Sequence, residues 1–251
     1  MRYDISGLTD MGAVRSSNQD VVAWRLSEDG RQALLIVADG MGGYQGGEIA
    51  SSVAVKSVLE AMVPRLEDPS WHCVDVEAIR EALQDSVGLA NDRVIARRQG
   101  DPALDKMGTT LVVAWVIDGC AHITHVGDSR CYLIREGESV CLTRDDTVVQ
   151  NMLDDGSITA ADAPNVPFRN VLTKALGASA SVDASYHLMP LSAGDRLLLC
   201  SDGLTNALPA AHWPTIFDDS ECMESAAEAL VSACLDRQAA DNVSVVLMTL
   251  F

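Results

Sequence analysis

The sequence predicts an α+β chain in which antiparallel strands form the interior and helices lie outside. Three observations carry this expectation. Short apolar runs are separated by turn dipeptides, two of those dipeptides are flanked by hairpin-like strands, and one long segment repeats its apolar residues at helical spacing.

Taken in chain order, Val21-Val22-Ala23-Trp24 is a short strand signal and residues 33–39 form an apolar run. From Glu48 through Ile49, Val53, Ala54 and Val58 the period turns helical. Val76, Ile79, Leu83, Val87, Ala90 and Val94 then recur at spacings of three and four, which predicts a long amphipathic helix with a core-facing stripe. Residues 109–117 and 121–126 flank Asp118-Gly119, and residues 131–135 and 140–142 flank Glu136-Gly137; both patterns predict hairpins. Residues 145–174 are polar, hold Asp154-Asp155-Gly156, Pro164 and Pro167, and carry only a short helical stretch near 148–153. Long irregular segments in compact domains are usually functional or mobile, so this stretch is expected either to serve a site or to be a passive surface excursion. Leu197-Leu198-Leu199-Cys200-Ser201 and Asn242-Val243-Ser244-Val245-Val246-Leu247 supply two further strands.

At 251 residues and 48 % hydrophobic the chain is long enough for one well-buried core, and no composition break demands a second domain, so residues 1–251 are expected to form one. The net charge of −18 argues against nucleic acid or an anionic membrane as partner, although plain solubility explains it too. Neither a signal peptide nor a run of membrane-spanning length is present, which predicts a cytoplasmic location. Seven cysteines without a CxxC pair, mostly in or beside apolar segments, read as buried free thiols. His122 and His125 are expected to share a strand face and to be structural. Nothing resembles a coiled-coil seam, and a monomer is expected.

Five aspartates sit where these runs begin or end. Asp39, Asp128 and Asp202 follow strand signals, whereas Asp20 and Asp241 precede them. Antiparallel neighbours put the end of one strand beside the start of the next, so all five can share one edge. Two unit charges about 4 Å apart cost roughly 4 kcal/mol at an effective dielectric near 20, which makes a bare cluster improbable and points to cations. Hard ions such as Mg²⁺ or Mn²⁺ take oxygen ligands, and no Cys/His spacing competes. Each Asp-Gly pair is also a good turn dipeptide by itself. Asp39-Gly40-Met41-Gly42-Gly43, however, holds more glycine than a hairpin needs and lets main chain approach an ion or phosphate.

Six motifs stand in a fixed order: Arg15-Ser16-Ser17-Asn18-Gln19-Asp20, Asp39-Gly40-Met41-Gly42-Gly43, Gly108-Thr109-Thr110, Val126-Gly127-Asp128-Ser129-Arg130, Ser201-Asp202-Gly203-Leu204 and Asp241-Asn242. With them the chain resembles the metal-dependent (PPM, type 2C) Ser/Thr protein phosphatases in their compact bacterial form, from about Gly7 to the C-terminus. The resemblance implies a four-layer sandwich: two packed antiparallel sheets flanked by α-helices, with a binuclear Mn²⁺ or Mg²⁺ centre at one sheet edge. In that reading Asp39 bridges two metals, Asp202 and Asp241 complete one, and the Gly40 carbonyl binds the other, on which Asp20 acts directly or through water. Asp128 with Asp202 matches the pair for a third, weaker metal, Arg15 matches the arginine that holds the substrate phosphate, and residues 145–174 match a substrate-selecting flap.

The chemistry implied is hydrolysis of phosphoserine and phosphothreonine in proteins. A water between two cations loses a proton near neutral pH and attacks phosphorus in line, while the metals neutralise charge on the transferring group. A guanidinium is a planar, permanently charged fork that suits phosphate oxygens better than an ammonium. By analogy with bacterial relatives, phosphoprotein substrates and a cognate Ser/Thr kinase are the expected partners, in some cases in the control of secretion.

Two departures stand out. Met41 occupies the place of a histidine that animal members carry as proposed general acid, and a thioether donates no proton, so leaving-group protonation is left to a metal-bound water. Asp146 stands where relatives usually have His. Two other classes compete: a binding module gripping a phosphate at the glycine loop, which lacks both the P-loop ending and the G-x-G-x-x-G spacing, and a degenerate phosphatase kept as a scaffold.

Overall fold

The computed structural model describes residues 2–42, 46–99 and 101–251; Gly43 of the glycine-rich motif lies outside the described residues. The N-terminal part contains strands β1 (Tyr3–Asp10), β2 (Asp20–Leu26) and β3 (Gln32–Met41), then helices α1 (Gly46–Leu66) and α2 (Val76–Gln99). The middle contains β4 (Gly108–Thr109), β5 (Leu111–Ile117), β6 (Cys120–Val126), β7 (Arg130–Arg135), β8 (Glu138–Cys141), α3 (Val148–Asp154) and β9 (Ser185–Pro190). The C-terminal part contains β10 (Arg196–Cys200), α4 (Asp202–Ala207), α5 (Trp213–Asp219), α6 (Met223–Asp236) and β11 (Val243–Leu250).

Both predicted hairpins form. Asp118 and Gly119, like Glu136 and Gly137, take positive φ at both central turn positions, the combination whose twist matches the flanking strands. The apolar run predicted at 109–117 is broken at Thr110. β4 stays paired with β3 through Gly40 and Thr109, and β5 begins its own ladder at Val37 and Val112.

One sheet runs in the order β1-β11-β10-β7-β8, the other β2-β3-β5-β6-β9, with β4 on β3, and the described pairings are antiparallel. The period of two along each central strand assigns its side chains to two different cores. Leu34, Ile36 and Ala38 face α1 and α2, whereas Ala33, Leu35 and Val37 meet Leu197, Leu199, Val246 and Met248 of the opposite sheet. On the other side Leu198, Val245 and Leu247 pack against Trp213, Phe217 and Leu230 of the C-terminal helices. The result is helix, sheet, sheet, helix. Strands buried on both faces need apolar residues throughout, which is why these segments read as continuous apolar runs. Truncating one such residue, Leu35→Ala for example, costs about 2–5 kcal/mol.

The stripe on α2 is buried at Ile79, Leu83, Val87, Ala90 and Val94, while Val76, the first helical residue, stays 46 % exposed and outside it. All seven cysteines are free, but only Cys131, Cys200 and Cys234 are buried, with Cys73, Cys141 and Cys222 exposed. His122 and His125 do not share a face, because residues three apart on a strand point to opposite sides. His122 Nδ1 lies 2.8 Å from the Tyr186 hydroxyl and His125 Nε2 lies 2.7 Å from the Arg144 carbonyl oxygen. Both contacts are structural. No helix among the described residues is long and apolar enough to cross a membrane.

Candidate metal centre

The start of β2, the end of β3, the end of β6, the end of β10 and the start of β11 meet at one edge of the sandwich, and each delivers one aspartate. Asp20 and Asp39 are direct cross-strand partners in the β2–β3 ladder. Neither Asp39-Gly40 nor Asp202-Gly203 is a hairpin turn: the first stays in β3 and the second opens α4.

Two glycines permit this crowding. A Cβ on Gly40 would lie 2.1 Å from the Gly47 carbonyl oxygen and 2.6 Å from that of Gln19, so only glycine lets β3 run against the start of α1. A Cβ on Gly203 would lie 1.9 Å from the Asn242 carbonyl oxygen, so the residue after Asp202 must be bare for α4 to meet the segment bearing Asp241.

The five acids occupy distinct positions. Asp39, Asp128, Asp202 and Asp241 line an open cleft of about 1230 Å³ together with Arg15, Gly40, Met41 and Thr110. Asp20 stands behind them, only 5 % exposed. Its Oδ2 accepts hydrogen bonds from Ser244 Oγ at 2.6 Å and Ser201 Oγ at 2.8 Å, while its Oδ1 is buried with no hydrogen-bond partner. A buried carboxylate oxygen with no donor is costly unless a cation reaches it.

Burial and mutual repulsion act on Asp20, Asp39, Asp128 and Asp202. Burial, then the charges of Asp20, Asp202, Asp128 and Asp241, raise the Asp39 carboxyl well above its usual range. Burial lifts Asp20 to about 6 against the pull of its two serine donors, and burial followed by the Asp202 charge lifts Asp128 to about 7. Asp202 is also raised, by burial and then by Asp241. Among the described residues no three acidic, His or Cys side chains already close around one ion. Asp241 Oδ2 accepts from Arg15 Nη2 at 2.7 Å. Hard oxygen donors, an orphaned carboxylate oxygen and carboxyls driven toward their neutral form make a donor set that fits divalent cations.

Several supporting residues carried no assigned role in the sequence. Ser201 and Ser244 hold Asp20. Asn242 ties the Arg15 segment to β11: its Nδ2 donates to the Met11 and Ser17 carbonyls and its Oδ1 accepts from the Gln19 amide. Thr110 Oγ1 accepts from the Asp39 amide at 3.0 Å and lies 2.6 Å from Ser129 Oγ, next to Asp128. Asp146 is buried and accepts from the Gly127 amide at 3.0 Å, so the residue in the usual His position anchors the turn that carries Asp128. Arg130 makes a two-pronged contact to Asp145, at 2.8 and 2.6 Å, fixing the beginning of the 145–174 segment. Thr147 and Leu172 bridge to close the base of that segment, and Asn170, Val171 and Leu172 line the cleft. Ser201 and Asn242 stood in the quoted motifs, but only the folded sheet reveals what they hold.

Comparison with known proteins gives one consistent answer. A family model described as Protein phosphatase 2C matches residues 13–238. The chain is 35 % identical over 247 residues to protein phosphatase PhpP of Streptococcus pneumoniae, covering 98 % of this chain and 97 % of that one. It superposes on the S. agalactiae serine/threonine phosphatase with a TM-score of 0.90 at 30 % identity, over 99 % of this chain and 100 % of that one. The catalytic domain of serine threonine protein phosphatase PstP, in complex with 2 manganese ions, matches with a TM-score of 0.83 at 31 % identity, over 98 % and 97 %.

Proposed function

Because the chain belongs to the protein phosphatase 2C family and is a protein serine/threonine phosphatase, we propose that its five clustered aspartates hold two divalent cations, Mn²⁺ or Mg²⁺, beside a phosphate site at Arg15. The observation that carries this reading is the cross-strand Asp20–Asp39 pair, Asp20 buried with one oxygen unpartnered and Asp39 lining the cleft with three more carboxyls.

In this reading Asp39, Asp202 and Asp241 would hold one ion, and Asp39, the Gly40 carbonyl and Asp20 would hold the other. Asp128, whose strongest charged neighbour is Asp202, forms with it the place for a third, weaker ion. When bound, such cations supply an acidified water for in-line attack on phosphorus and neutralise the charge of the transferring group. Arg15 stands half exposed at the cleft mouth, where its guanidinium can leave Asp241 for the oxygens of an incoming phosphate. Met41 lines the cleft and has no proton to give, so protonation of the leaving oxygen would be left to a metal-bound water.

The 145–174 segment selects substrates, a role supported by the presence of its residues 170–172 in the cleft wall. A cognate bacterial Ser/Thr kinase working on the same phosphoproteins in the cytoplasm, with the phosphatase as a monomer, completes the reading; the bacterial phosphatase relatives support the phosphoprotein substrates.

The test is release of phosphate from a phosphothreonine peptide by protein stripped with chelator, with and without Mn²⁺, beside Asp202→Asn. Activity restored by Mn²⁺ and reduced roughly a hundredfold or more in the variant is expected. Metal binding without turnover would favour a scaffold instead.

A further inference from the structure

The cleft that holds the carboxylates continues past the glycine loop to the C-terminal turn of α2, where Arg97 lines it. We propose that Arg97 is a second anion-recognition point that selects phosphopeptides bearing another negative side chain near the reacting residue. The proposal rests on the phosphatase reading above and adds a substrate class to it.

Among the described residues lining the cleft, Arg15 and Arg97 are the two cations. Arg15 is committed to Asp241 and to the reacting phosphate. Arg97 has no hydrogen-bond or ion-pair partner among the described residues, in contrast to the arginines beside it on the same helix. Arg93 pairs with Glu60, and Arg98 donates to the Gly177 carbonyl oxygen. A cation in the last helical turn is favourable toward the helix dipole, but Arg98 already meets that need.

The acid nearest in sequence that lines the same cleft, Asp101, does not take Arg97 either. Its Oδ1 accepts from the Ala103 amide at 2.9 Å, capping the short turn Pro102–Leu104. Ile49, Ala103 and Leu104 add apolar wall to this part of the cleft, against which the stem of a peptide side chain can pack. On a chain of net charge −18, an exposed and unpaired guanidinium in the cleft offers acidic peptides a favourable local contact. Its planar fork suits a carboxylate or a phosphoryl group alike.

The experiment measures kcat and KM of the Mn²⁺-loaded protein, Arg97→Gln and Arg97→Glu. The substrates are an aryl phosphate and phosphothreonine peptides whose flanking positions hold Asn, Asp or a non-hydrolysable phosphonate. The wild type should show a KM about three- to fivefold lower for anionic flanks than for Asn, the range of a solvent-screened ion pair. Arg97→Gln should abolish that preference, and Arg97→Glu should invert it, with kcat and aryl phosphate hydrolysis held. A preference confined to the phosphonate peptide assigns the point to a second phosphate; one shared with Asp assigns it to anionic side chains generally. Wild-type turnover with no preference, or a preference that survives Arg97→Gln, would overturn the proposal while leaving the phosphatase reading intact. Failure of the wild type on every substrate would overturn both.

Discussion

Asp20 and Asp39 face each other across the β2–β3 ladder, one held from behind by two serine hydroxyls and the other opening onto the cleft. Such a pair stores repulsion in the folded chain. Burial and neighbouring charge raise both carboxyls, so the fold favours their protonated forms and cations must compete with protons for the same oxygens.

A stability profile with an uncommon sign follows for chelated protein. Asp20 rises from 3.8 to about 6 and Asp128 to about 7. Acids with raised folded values contribute stability that is full below about pH 4 and is lost as pH climbs through 6 and 7. Thermal melts of chelated protein should therefore give a higher Tm at pH 5 than at pH 8, and added Mn²⁺ should raise Tm more at pH 8. Asp20→Asn should flatten the slope. A variant with the wild-type slope would remove Asp20 as its source.

Gly203 and Gly88 make a matched pair of substitutions. A methyl at Gly203 meets the Asn242 carbonyl oxygen at 1.9 Å, so Gly203→Ala should cost about 1–3 kcal/mol and, by parting Asp202 from Asp241, weaken Mn²⁺ binding and turnover together. Gly88 lies within α2 with nothing within 4 Å, so Gly88→Ala should add about 0.5–1 kcal/mol and leave activity alone. Chemical denaturation and calorimetric Mn²⁺ titration read both.

Arg15→Ala should lower kcat/KM for a phosphopeptide by roughly ten- to a hundredfold, the range of a hydrogen bond to a charged group, with Arg15→Lys between it and wild type. Stability should change by less than about 0.5 kcal/mol, because the Arg15–Asp241 pair is 54 % and 36 % exposed. A large loss of stability with intact kcat/KM would instead make Arg15 a structural residue.

Legibility from the sequence divides along the range of the interaction. Strands, both hairpins and the α2 stripe depend on local period and turn chemistry, so Asp118-Gly119 or Leu83 could be placed without neighbours. The two cores of β3 could not, because an unbroken apolar run does not say which face meets helix and which meets sheet. The histidines were misplaced for a simpler reason: an odd separation on a strand reverses the face. Thr110 broke a predicted strand because its side chain and amide bond to Asp39, 71 residues away.

The sequence by itself determined that acids stand at strand ends, that glycines follow two of them and that the ordered motifs resemble those of metal-dependent phosphatases. Only the tertiary structure decided that Asp20 lies behind Asp39 rather than in the cleft, that Ser244 holds it across 224 positions, and that Arg15 meets Asp241 across 226. The same holds for Asp146 beneath Gly127 and for Arg97 in the cleft wall. The physical reason is that sheet order and the packing of one sheet on the other set these distances, and neither is a property of any local stretch of chain.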